Sequence, residues 1–150
     1  MSGTEQFERG TDGPRVIVVA VDGSTTSLRA AAYAAGLARR QAAELVAVVV
    51  IAGSSLVGLA PAAMPAFDQA ERQVADELRA QFVEATARAG VRARFIETTG
   101  DPFTEISRIC EKVLADAVVV GASTSAGHRI VGSVGVRLVR AGKWPVTVVP

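Results

Sequence analysis

Three short, almost uninterrupted runs of apolar, largely β-branched residues restrict the possible folds most: "RVIVVAVD" at 15–22, "LVAVVVI" at 45–51 and "AVVVG" at 117–121. A strand with one face in water alternates apolar and polar residues, so runs without alternation predict strands covered on both faces, as in a parallel sheet between two helix layers. "VRARFIE" at 91–97 does alternate, apolar against basic, which predicts a strand at the sheet edge. "WPVTVV" at 144–149 supplies a last strand, with Pro145 tolerable as its first residue.

The stretches between these runs are rich in helix formers. "STTSLRAAAYAAGLARRQAAE" at 24–44 opens with hydroxyls that satisfy free N–H groups, and Leu28, Ala31, Ala32, Ala35 and Ala38 form a small apolar stripe suited to close packing. A second helix is expected over 67–90, with Ala70, Val74, Leu78 and Phe82 at four-residue spacing and Gly90 as terminator. A third opens at Asp101, an acceptor at the cap, followed by Pro102 at the first helical position. A fourth, short helix runs from Ser133 to its stop at Gly142. Strands alternating with helices imply a single three-layer α/β/α domain built on a parallel sheet with right-handed crossovers.

Length and charge narrow the function. A chain of 150 residues, 49% hydrophobic and 21% charged, has room for one cored domain. We assign that domain to 15–150 and read 1–14, with Glu5, Glu8 and Asp12 among glycines and threonines, as a flexible arm rather than a signal peptide. Sixteen Lys plus Arg against 15 Asp plus Glu give a net charge of +1, no field for nucleic acid or anionic lipid. One cysteine, Cys110, and one histidine, His128, exclude an internal disulfide and a Cys/His metal cluster, and fit a reducing cytoplasm. The uncharged stretch 45–64 has the length of a membrane span, but Gly53, Ser54, Ser55, Gly58 and Pro61 punctuate it, which predicts a buried strand and a loop instead.

In sheets of this type ligands sit beyond the carboxyl ends of the strands, where strand order reverses. "VDGSTTS" follows the first strand there and "GASTSAGHRIVGS" the fourth. The second runs into a helix at Ser133, and helix N-termini present unpaired N–H groups and partial positive charge to anions. Residues 117–150 contain no acid, yet carry Arg129, Arg137, Arg140 and Lys143. Arg129, in the loop itself, is the phosphate candidate. The other three also suit the C-terminus of the last helix, where cations are favoured anyway.

The segments "VIVVAVDGSTTS", "GDPFTEI", "ADAVVVGAS" and "VGSVGVRLVRAGKWPVTVV" resemble, in order and spacing, the universal stress protein family across essentially all of 15–150. The resemblance implies a Rossmann-like, five-stranded parallel sheet of order 3-2-1-4-5, and homodimers made through the last strand around Val146 to Val149. In one branch of the family it also implies ATP or another adenine nucleotide, with Mg²⁺ as a possible companion. Residue by residue, Asp22 would hydrogen-bond the ribose or adenine beside the backbone of Ala20 and Val21, and Val50 would meet the adenine edge through its main chain. Gly121 would open the phosphate loop, and Gly132, Ser133 and Val134 would close it. For Asp22 a turn-forming or capping role is the competing reading.

The loop departs from the pattern of that branch, which reads glycine, two residues, glycine, nine residues, glycine, then Ser or Thr. Here Thr124 stands at the second glycine and only the seven residues 125–131 precede Gly132. Threonine resists the positive φ and close approach that glycine permits, so Gly127 is the candidate for that turn. Gly135 replaces a further hydroxyl residue. Three outcomes follow: a remodelled triphosphate site using Ser123, Thr124, Ser125 and Arg129; a smaller cavity for fewer phosphates, including a cyclic nucleotide; or no nucleotide. Retention of Asp22, Gly121, Gly132 and Ser133 favours an adenine nucleotide.

The expected function is that of a dimeric, non-catalytic stress-response protein with a nucleotide as regulatory ligand. The alternative is a dimeric interaction module without nucleotide, contacting partners through Leu56, Val57, Leu59, Met64 and Phe67 of the 52–66 loop and its border. Efficient catalysis is not expected. The Walker A spacing and a Ser-Gly-Gly loop are absent, and Cys110, within a helix, and the lone His128 offer no nucleophile and base pair. Trp144 fits either a dimer contact or the domain's own core.

Overall fold

A computed structural model describes residues 13–51, 64–123 and 132–150. In chain order these form β1 (Val16–Ala20), α1 (Thr25–Gln41), β2 (Glu44–Ile51), α2 (Met64–Ala89), β3 (Ala93–Thr99), α3 (Pro102–Val113), β4 (Ala117–Gly121), α4 (Ser133–Ala141) and β5 (Val146–Val149). The expectations for the arm, for the loop residues Leu56, Val57 and Leu59, for the side chains of Met64 and Phe67, and for Thr124, Ser125, Gly127, His128 and Arg129 lie outside the described residues.

All four strand pairings are parallel and the order is β3-β2-β1-β4-β5, as the family resemblance implied. The uninterrupted runs occupy the three inner strands, and successive residues feed opposite faces. Ile17, Val19, Leu45, Ala47 and Val119 join a core under α1 and α2; Val18, Val46, Val48, Val118 and Val120 join another under α3 and α4. Ile17, Val18 and Val19 are completely buried, and each contributes about 1.5–3 kcal/mol relative to exposure. Trp144 packs half-buried against the α3/α4 core, so within the protomer it serves its own domain.

Local signals end the elements as the chain predicts. Ser24 caps α1 by accepting from the N–H of Ser27, and Asp101 caps α3 by accepting from the N–H of Thr104 at 2.9 Å. Gly90 and Gly142, with φ of 68° and 64°, stop α2 and α4 in the left-handed conformation that glycine adopts without strain. β3 lies at an edge, its bounds two residues later than the sequence pattern suggested. Arg94 ion-pairs with Glu44 of β2, and Phe95 packs beneath the Arg79 guanidinium at 4.9 Å. The Asp116 carboxylate accepts from the N–H groups of Arg15 and Val16 at 2.8 and 2.9 Å, anchoring the start of β1.

Two helix stripes differ from expectation. In α1 the buried side chains are Thr26, Ser27, Ala30, Ala34 and Ala38, whereas Leu28 is 43% exposed and Ala32 faces water. In α2 the buried or half-buried line is Glu71, Ala75, Leu78, Phe82 and Thr86, with Ala70 and Val74 outside. A constant step of four residues advances about 40° per step around a helix of 3.6 residues per turn. In α2 the expected line of fours therefore drifts off the face, and the single step of three from Ala75 to Leu78 keeps the buried line on it.

The alanine face of α1 sets how closely the helix lies on the sheet, since Ala30 and Ala34 are completely buried. Ala34→Leu is expected to destabilise the domain by about 1–3 kcal/mol through overpacking. Ala32→Leu, on the wet side, should stay within about 0.5 kcal/mol. Urea denaturation midpoints at unchanged slope measure both.

Candidate functional site

A cleft of about 320 Å³ opens at the carboxyl ends of β1 and β4. These neighbours are where connections leave the sheet in opposite directions, β1 toward β2 and β4 toward β5. The cleft receives Ala20, Val21 and Asp22 from the end of β1, Val50 from β2, Gly121 and Ser123 from the end of β4, and Gly132, Ser133 and Val134 from the start of α4. Each of the sequence-predicted site residues within the described part thus lines one cavity. Thr124, Gly127 and Arg129 fall outside that part.

The "VDGSTTS" turn is built by its own polar groups. The Ser24 N–H donates to Asp22 Oδ1 at 2.9 Å, the Asp22 N–H donates to Ser27 Oγ at 3.2 Å, and Ser27 Oγ donates back to the Ser24 carbonyl at 2.9 Å. Gly23 supplies the positive φ, 84°, that the turn needs. Asp22 is therefore turn former and cleft wall at once, and the cap itself is Ser24. Desolvation pushes the Asp22 carboxyl up, but the polar groups of Ser24 and Ser27 outweigh it and hold the pKa below the ordinary 3.8.

Gly121 is required by packing. A Cβ there would lie 2.6–2.7 Å from the backbone of Thr26 and Ser27, because the first turn of α1 crosses directly over the strand end. Thr26 Oγ1, buried, closes that crossing by donating to the Ala122 carbonyl at 2.7 Å. Gly132 is less crowded: a Cβ there would stand 3.3 Å from Ser123 Cβ, so the two ends of the intervening loop meet. The backbone of Gly132, with φ −57°, needs no glycine.

At the start of α4 no side chain caps the helix. The N–H groups of Ser133, Val134 and Gly135 find no acceptor among the described residues, while Val136 begins the ladder on the Gly132 carbonyl at 3.0 Å. These donors border the cleft that also holds Asp22. Val48, Val50, Val120 and Ile106 add apolar walls. The site thus pairs a hydrogen-bond acceptor and an apolar slot with a group of anion-seeking donors.

Sequence reasoning gave Pro102 only as the start of a helix and assigned Ile106 no role in the site, yet α3 contributes both to the cleft. No local pattern marks that contact. Sequence reasoning placed the stretch holding Ser24, Thr26 and Ser27 at the ligand end of the sheet but gave these hydroxyls individually only a helix-start role, although all three border the cleft.

Two of the basic residues near the C-terminus, Arg137 and Lys143, are engaged elsewhere. Arg137 Nη1 lies 3.3 Å from both oxygens of Asp101 and stacks over Phe103 at 4.2 Å, and Lys143 pairs with Glu111. Thr104, through its hydroxyl and N–H, holds the Asp101 carboxyl below its ordinary value, with Arg137 adding to the effect. Cys110 is completely buried in the α3/α4 core, and desolvation, with Glu111 adding, pushes its thiol up to about 12, so no thiolate nucleophile forms at neutral pH. No helix among the described residues is long and apolar enough to cross a membrane.

Comparison with known proteins agrees with this architecture. Residues 14–150 match the model of the universal stress protein family. Universal stress protein MJ0531 of Methanocaldococcus jannaschii is 31% identical over 136 residues, spanning 89% of this chain and 80% of that protein. Among solved structures, universal stress protein UspA from Lactobacillus plantarum superposes with a TM-score of 0.79 at 26% identity, covering 93% of this chain and 100% of that one. A universal stress protein solved in complex with cAMP superposes at 0.69 with 22% identity, covering 92% and 98%. With the five-stranded order, the cleft at its switch point and these matches in hand, the chain belongs to the universal stress protein family.

Proposed function

We propose that this protein is a non-catalytic, cytoplasmic stress-response protein that binds an adenine nucleotide in the cleft as a regulatory ligand. The observation that carries the reading is the α4 N-terminus, whose three N–H donors have no acceptor among the described residues and share one cavity with Asp22 and an apolar slot. Phosphate oxygens match the donors, the base matches the slot between Val48, Val50 and Ile106, and Asp22 is an acceptor for ribose or base N–H and O–H groups. The relative solved with cAMP supports the ligand class. Ala20, Val21, Gly121, Ser123, Gly132, Ser133 and Val134 complete the proposed contacts. Among the described residues no group of three or more His, Cys, Asp or Glu is placed to hold a metal ion, so any Mg²⁺ would ride on the phosphates. Among the described residues β5 pairs with β4 alone, and its other edge is the proposed contact of a homodimer around Val146 to Val149.

Isothermal titration with ATP, AMP and cAMP is expected to give saturable binding of at least one of them. Absence of heat with all three at millimolar concentration would overturn the reading. Gly121→Ala should both destabilise the fold, by about 1–3 kcal/mol through overpacking, and weaken binding, because the added methyl displaces the α1 turn that borders the cleft.

Asp22→Asn should weaken nucleotide binding about 10- to 100-fold, the equivalent of a hydrogen bond to a charged group, about 1.5–3 kcal/mol. Its effect on stability has a defined pH window. The folded-state pKa of Asp22 lies below the ordinary 3.8, so the carboxylate's contribution is complete above about pH 5 and fades as pH falls through the folded value. The stability gap between wild type and Asp22→Asn should be flat from pH 5 to 7 and shrink below pH 4, as chemical denaturation at a series of pH values would measure.

A further inference from the structure

At the opposite end of the sheet the structure assigns a second anion site: we propose that Arg15, Arg40 and Arg92 form a cradle for a linear oligophosphate chain. Arg15 immediately precedes β1, Arg92 immediately precedes β3, and Arg40 stands in the last turn of α1. Because all strands are parallel, these positions share the amino-terminal end of the sheet, away from the nucleotide cleft. They line a concavity of about 530 Å³ together with Gly13, Pro14, Gln41 and Ala42.

Three features give this concavity a chemical preference. The neighbouring carboxylates among the described residues are already committed, Glu44 to Arg94 and Asp116 to the N–H groups of Arg15 and Val16. Among the described residues none pairs with the guanidinium of Arg15, Arg40 or Arg92. Like charges gathered around one hollow repel one another, and a multivalent anion relieves that repulsion. Two of the carbonyls at the end of α1 are occupied: those of Ala38 and Arg39 accept from the left-handed cap at Ala42, and Ala38 accepts from Ala43 as well, at 2.9 Å.

Ligand class follows from what lines the hollow. Guanidinium groups offer paired, planar donors that fit phosphate oxygens two at a time, and the Gln41 amide adds neutral donors. Among the described lining residues there is no aromatic ring and no large aliphatic side chain to hold a base or an acyl chain. Successive phosphates are thus recognised by charge and fork geometry alone. This site does not depend on nucleotide binding in the cleft.

The test uses the full chain with sodium tripolyphosphate at fixed ionic strength, followed by calorimetry and by ¹H–¹⁵N NMR. Saturable binding is expected, with amide shifts centred on Arg15, Gln41, Ala42 and Arg92. Affinity should fall at least about tenfold in the Arg40→Gln/Arg92→Gln double variant, whose thermal melting without ligand should match wild type because both side chains are solvent-exposed. Asp22→Asn should bind tripolyphosphate as wild type does. Displacement by ATP but not AMP would identify a nucleotide's phosphate tail as the source, and displacement by neither would identify inorganic polyphosphate; both support the site. Absence of saturable binding, equal affinity in the double variant, or shifts centred on Ser133 to Gly135 would overturn it.

Discussion

Two-sided burial of the inner strands is the constraint on which the rest of this structure depends. Ile17, Val18 and Val19 are sealed from solvent because α1 and α2 cover one face of the sheet while α3 and α4 cover the other. Neither core survives alone, since each draws alternate residues from the same strands. Parallel pairing requires a crossover after each strand, and right-handed crossovers from β1 to β2 and from β4 to β5 run in opposite directions. The crevice between β1 and β4 is what that topology leaves behind.

The residues that line the cleft include those on which α1 comes closest to the sheet. The first turn of α1 approaches so near that only glycine fits at 121, and Thr26 binds the strand end through the Ala122 carbonyl. The same turn is held by Asp22, Ser24 and Ser27 in a closed set of hydrogen bonds. Packing and the lining of the cleft are therefore not separable here: the residues that let the helix seat on the sheet are among those that face the cleft. On the α3 side, the Asp101 and Arg137 pair beside Pro102 links that wall to α4, whose N–H donors form the anion-seeking end.

Much of this was legible along the chain because its signals are local. Unbroken valine runs marked the inner strands, the Asp101–Pro102 pair marked a helix start, and Gly90 and Gly142 marked helix ends. The phase of the helix stripes was not legible, since α1 and α2 carry small or apolar side chains on several faces and only contact with the sheet selects one. Val74 and Leu28 look like core residues in a list and stand in water in space. The positions that define the cleft were visible as glycines, an aspartate and a serine, yet the reason for Gly121 was not. Its constraint comes from a backbone segment nearly a hundred residues earlier.

The sequence by itself determined the class of fold, the order of elements, the caps and the edge position of β3, because alternation, propensity and turn chemistry act over a few residues. Tertiary structure alone decided that Ile106 and Pro102 of α3 join Asp22 and Ser133 around one cavity, that Arg137 and Lys143 are spent on α3 acids, and that three arginines far apart in the chain gather at the other end of the sheet. Those placements depend on which strand lies beside which, and strand order is set by the energy of closing both cores together, a quantity that no short stretch of chain contains.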